Sequence, residues 1–238
     1  MRLLLLLLLT LSASAATTTW ERAVQRDELA VIRDQLDSIG DIDRTTGRGK
    51  TALMAAARAG DPVLTERLLR AGADPAAANR QGGTVLMYAV VGGSPAIAAR
   101  LLEAGADPQA RSRNGWTALM MAAAKNRPAI ARLLLEAGAD PDRADVYGWT
   151  PLMRAVYAGH EAVASVLLNR SRPDLARVND QGQTVLHLAV IQGRTALVQT
   201  LLARGARQTA DFAGRTPRSI ARSLQRPDLL ALLDDAQH

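Results

Sequence analysis

Apolar positions along the chain come in paired blocks separated by glycine, and the blocks return in register. The first of each pair opens on a threonine: TALMAA from Thr51, TVLMYA from Thr84, TALMMA from Thr117, TPLMRA from Thr150, TVLHLA from Thr184 and a degraded TPRSIA from Thr216, spaced by 33, 33, 33, 34 and 32 residues. Inside the block Leu53 and Ala56, Leu86 and Ala89, Leu119 and Ala122, Leu152 and Ala155, and Leu186 and Ala189 lie three apart, which puts each pair on one helix face. The threonine predicts an N-cap, and the alanines predict close approach of neighbouring helices. Each helix is expected to stop at Gly60, Gly93, Asn126, Gly159 or Gly193, residues that accept the left-handed C-terminal conformation. A second helix then begins, with Pro62, Pro95, Pro128 and Pro227 in first-turn positions where no donor is missed. Its apolar side falls thirteen residues after each threonine, at Leu64, Ile97, Ile130, Val163, Leu197 and Leu229, and four residues further on, at Leu68, Leu101, Leu134, Leu167, Leu201 and Leu233. A turn written AGADP follows at Ala71, Ala104 and Ala137.

A Thr-x-Leu helix, a glycine break, a Leu-Leu helix and a Gly-Ala-Asp turn at a period of 33 residues resemble the ankyrin repeat, from about Thr46 to the C-terminus. The resemblance implies an all-α fold, a solenoid of stacked helix-turn-helix units with hairpin-like loops. The expected organisation is a leader over 1–15, capping helices over 16–45, five repeats over 46–213 and a capping repeat over 214–238. Two departures stand out. Methionine replaces the family's usual histidine in four copies, and Arg170-Ser171-Arg172 replaces the Gly-Ala-Asp turn after the fourth. Ser171 then falls where glycine would avoid about 1 kcal/mol of left-handed strain, which predicts a softer joint between repeats four and five.

The ends read as caps. The stretch to Asp43 keeps the two-helix rhythm, with Trp20, Ala23, Val31 and Leu36 near core positions but no threonine-leucine phrase, and Arg218, Ser219 and Asp234-Asp235 make the last unit polar. Stacked repeats need such outer faces for solubility. At the start, Met1-Arg2, the leucine run from Leu3 to Leu9 and the small residues Ala13-Ser14-Ala15 predict a secretory signal peptide cleaved after Ala15, of a bacterial periplasmic type. It is too short for a stable membrane anchor. The expected location is the periplasm or beyond, with no transmembrane segment in the mature chain.

Composition narrows the chemistry. The 238 residues include no cysteine and only His160, His187 and His238, so thiolate chemistry is excluded and little histidine is available for a metal cluster. Both His187, at the family's structural histidine, and His160, at its Gly-His break, read as structural. The Asp-Pro pairs at Asp74, Asp107 and Asp140 read as turns about one repeat apart. No phosphate loop is present, so we expect no enzyme, no cofactor and no metal. The formal net charge is +6, and Lys50 and Lys125 are the only lysines. Export argues against nucleic acid as the acidic partner.

What the repeat framework leaves undetermined is a ladder of surface positions. In ankyrin proteins these lie on the concave side, one, three, four and six residues before each threonine and seven and eight after it. Here they hold Arg48, Lys50 and Arg58; Arg80, Gln81 and Val91; Arg111, Arg113, Asn114, Trp116 and Lys125; Val146, Tyr147, Trp149 and Tyr157; Asp180, Gln181, Gln183 and Ile191; and Arg215. Eight are basic and one is acidic, and four of the chain's seven aromatic residues fall on two adjacent repeats. Tryptophan, tyrosine and arginine dominate interface hot spots. The resulting expectation is a monomeric scaffold that binds an acidic protein through Arg80, Arg111, Arg113, Asn114, Trp116, Lys125, Tyr147, Trp149 and Tyr157. The alternative is a module for an anionic cell-envelope component, whose binding would weaken steeply with salt and survive loss of the tryptophans.

Overall fold

A computed structural model describes residues 19–236, so the predicted leader lies outside the described residues. Fourteen helices occur among the described residues: α1 (19–26), α2 (Leu29–Gln35), α3 (Ala52–Ala59), α4 (Pro62–Arg70), α5 (Val85–Gly92), α6 (Pro95–Glu103), α7 (Ala118–Ala124), α8 (Pro128–Glu136), α9 (Pro151–Tyr157), α10 (Glu161–Arg170), α11 (Val185–Ile191), α12 (Thr195–Ala203), α13 (Pro217–Ser223) and α14 (Pro227–Asp235). No strand occurs among them, only an isolated antiparallel bridge between Ala78 and Thr84. Two compact units divide the chain, one ending at Asp107 and the other beginning at Pro108. Each is a run of helical hairpins in the manner of an all-α repeat solenoid.

The periodic threonines do what their position requires. The hydroxyls of Thr51, Thr84, Thr117 and Thr150 accept from the backbone N–H of Met54, Met87, Met120 and Met153 at 3.2–3.3 Å. The expected breaks are left-handed at Gly60, Gly93, Asn126, Gly159 and Gly193. In the first unit α3 packs along α5 and α4 along α6. In the second, α7, α9, α11 and α13 pack in succession, α8 lies on α10 and α12 on α14. Small side chains allow this. Ala52, Ala55, Ala56 and Ala57 of α3 are fully buried, and a Cβ on Gly92 would come within 2.5 Å of the Ala57 carbonyl oxygen.

Three details of the sequence reading are corrected. The position fourteen residues after each of the first five threonines is also core, filled by Thr65, Ala98, Ala131, Ala164 and Val198. Where it carries the large Val198, Leu197 is displaced to half-burial. In the N-terminal hairpin Trp20 and Ala23 are buried as expected, but Ile32 rather than Val31 enters the core. The expected strain at Ser171 is absent: α10 runs through Arg170, and Ser171 is extended at φ −133° with its hydroxyl donating to the Leu167 carbonyl at 2.6 Å.

Candidate aromatic and cationic site on the hairpin tips of the second unit

The residue five positions before each threonine builds the loop tip. In the second unit Asp145 Oδ1 accepts from the N–H of Tyr147 at 2.9 Å and of Trp149 at 3.0 Å. Asn179 does the same for Gln181 and Gln183, and Asp211 for Ala213 and Arg215. This is the side-chain turn that Asx residues favour. Backbone bonds then link tip to tip, Val146 N–H to Asn114 O at 3.2 Å, Asp180 N–H to Tyr147 O at 2.9 Å and Phe212 N–H to Gln181 O at 3.1 Å. Side chains on neighbouring tips are therefore held in a fixed register.

Over this frame the aromatic residues converge on a side chain that the sequence reading did not single out. The Arg154 guanidinium lies 4.7 Å from the ring centroid of Trp116 and 4.7 Å from that of Trp149. Trp149 also meets Tyr157 edge to face at 5.2 Å. Arg154 pairs with Asp145, whose side chain is fully buried, through Nη2 and Oδ2. Its buried Nε makes no hydrogen bond. A guanidinium held between two indoles and a buried carboxylate is attracted to the ring faces and shielded from water. The signal for it was present. Four residues after the threonine the other copies carry Ala55, Tyr88, Met121, Leu188 and Ile220, so Arg154 is the one charge in an apolar column.

The predicted site residues take up different roles. Trp116 and Trp149 are half-buried, while Tyr147 and Tyr157 are 56% and 55% exposed. Arg111 is exposed and donates to the Ala144 carbonyl at 2.9 Å. Arg113 and Lys125 are exposed with no ion pair to a described residue. Asn114 is exposed and supplies the carbonyl that anchors Val146. Arg80 is exposed in the first unit, where its N–H binds the Arg48 carbonyl at 3.1 Å. The ladder of free charge is shorter than its sequence implied. Lys50 is buried against Asp27 at 2.6 Å, Arg58 approaches the same carboxylate at 3.8 Å, and Arg215 binds Asp211 at 2.8 Å. Burial pushes the Asp211 carboxyl up, but the Arg215 N–H, its guanidinium and the Ala213 N–H outweigh this and hold it below the ordinary value.

His187 and His160 serve the frame. His187 Nδ1 accepts from the Thr184 N–H at 3.1 Å, so Nε2 carries the proton toward the Arg215 carbonyl at 3.1 Å. Burial lowers its pKa from 6.5. His160 Nε2 lies 3.2 Å from the Ala124 carbonyl. Among the described residues no cluster of three or more acidic or histidine side chains could hold a metal ion, and no helix is long and apolar enough to cross a membrane.

Repeated helical hairpins with capped first helices and bonded loop tips define a stacked-repeat protein. The sequence profile of the ankyrin repeats matches the chain in three copies, over residues 20–112, 109–177 and 143–211. The chain belongs to the ankyrin-repeat family. Ankyrin repeats are generally protein–protein interaction modules. No curated protein matches the sequence.

Proposed function

We propose that the chain is an exported, non-catalytic scaffold that binds an acidic protein partner through the tips and first helices of its second unit. The observation that carries this reading is the Trp116–Arg154–Trp149 stack on buried Asp145. It holds a broad aromatic surface rigid before any partner arrives, which spares the entropy of ordering those side chains on binding. Tyr147 and Tyr157 project from it as exposed anchors, and Arg111, Arg113 and Lys125 supply positive charge beside it. Such cations raise the rate of encounter with an acidic surface more than they raise affinity. Trp116 and Trp149 hold Arg154 as well as offering surface, so the exposed tyrosines are the cleaner probes.

The test is affinity capture from envelope extracts with the chain lacking residues 1–15, followed by titration of the captured protein. Tyr147→Ala with Tyr157→Ala should cost more than ~2 kcal/mol, as hot-spot truncations do, with the melting temperature unchanged. Binding that ignores this double variant yet collapses with salt would favour an anionic envelope component instead.

A further inference from the structure

Four of the second helices, α4, α6, α8 and α12, are closed in one way. Gly72, Gly105, Gly138 and Gly205 turn left-handed, and the next residue, Ala73, Ala106, Ala139 or Ala206, is buried with its N–H on a leucine carbonyl at 2.9–3.0 Å. That alanine plugs the helix end. After α10 the plug is missing: Ser171 is extended, and Arg172, at the place of the alanine, is exposed. The space left open is a cleft of about 550 Å³ between the segment from Leu168 to Ala176 and the turn from Arg204 to Arg207. Its size falls within the range of small-molecule sites.

The lining has two parts. Leu168, Pro173 and Leu175 give it an apolar side. Arg172, Arg204 and Arg207 give it three guanidinium groups. Arg204 is held in place by neutral acceptors, the Leu168 carbonyl and Asn169 Oδ1, the latter at 2.6 Å, so its charge stays unopposed. Arg172 and Arg207 are exposed and have no ion pair to a described residue. The one carboxylate in the lining, Asp174, accepts from the Ala176 N–H at 2.9 Å and faces Arg177 at 3.7 Å.

We propose that this cleft binds a small organic phosphate ester, its ring or apolar body on Leu168, Pro173 and Leu175 and its phosphate among the three arginines. Guanidinium forks match oxyanions bidentately, and a phosphomonoester carries roughly −1.5 to −2 charge at pH 7 against −1 for a carboxylate. Three cations with one committed acid therefore select the phosphate. The site uses no residue of the hairpin tips and does not depend on the partner reading above.

NMR titration of the chain with phenyl phosphate tests it, with inorganic phosphate and benzoate as comparisons. Saturable shifts should be confined to residues 168–176 and 204–207, with phenyl phosphate bound at least tenfold tighter than either comparison. Arg172→Gln with Arg207→Gln should weaken binding at least tenfold. Arg111→Gln with Arg113→Gln, which removes equal charge elsewhere, should leave it unchanged. Shifts that do not saturate at millimolar ligand, or that spread over all exposed arginines, would overturn the proposal, as would equal losses in the two variants. Shift localisation in the unaltered chain decides the matter even if a variant folds poorly.

Discussion

At the scale of single residues, the decisive group is Arg154. Its charge is balanced by a carboxylate with no solvent exposure, and its faces are covered by two indoles. Arg154→Leu would strand the Asp145 carboxylate with only its two backbone donors, a loss of roughly 2 kcal/mol by analogy with other broken buried partnerships. Urea unfolding should show that loss, and tryptophan fluorescence should shift as both rings gain water. Arg154→Lys should restore part of the stability but not the fluorescence, since an ammonium is not a planar fork. His187 supplies the pH dependence. Its folded pKa lies below 6.5 because burial disfavours the cation. On acidification the unfolded chain therefore takes up the proton first, so this contribution is complete above pH 6.5 and is lost as pH falls through the folded value. His187→Met, the residue that four other copies carry at this position, should flatten the slope of melting temperature against pH below 6.5. An unchanged slope would assign it elsewhere.

At the scale of elements, the threonine caps, the glycine breaks and the alternation of first and second helices were legible because each rests on local rules of spacing and capping. What was not legible depends on neighbours in space. The core status of position fourteen was hidden because three of its five buried occupants are alanines and one is Thr65, residues that periodicity counts weakly. The joint after α10 was misread because a missing glycine can be answered by strain or by another route, and the chain took the extended route at Ser171. Lys50 looked like surface charge, but Asp27 lies 23 residues away in sequence and only 2.6 Å away in space. Close packing of α3 on α5 yields its own prediction. Gly92→Ala places a methyl against the Ala57 and Arg58 carbonyls, so it should cost about 1–3 kcal/mol in urea unfolding despite the better helix propensity of alanine. A gain in stability would show that the two helices can separate freely.

At the scale of the whole molecule, the framework explains most of the sequence and confines choice to a few surfaces. Five of the eight basic residues in the binding ladder, Arg48, Arg80, Arg111, Arg113 and Lys125, are exposed with no ion pair to a described residue. The other three are spent on ion pairs, Lys50 and Arg58 with Asp27 and Arg215 with Asp211. The aromatic cluster was visible as a coincidence of Trp116, Tyr147, Trp149 and Tyr157 on adjacent repeats. The side chain that organises it stood out only as the one charge in an apolar column, because an arginine inside a helix phrase gives no sign of what it stacks on. Export is a separate proposal: N-terminal sequencing of the mature protein should begin at Ala16, and a chain that retains Met1 would contradict it. The most direct test of the account is the dissociation constant of the captured partner for the unaltered chain and for Tyr147→Ala with Tyr157→Ala, measured side by side at constant salt. A loss of at least about thirtyfold with unchanged melting is the predicted result; equal constants for the two proteins would contradict it.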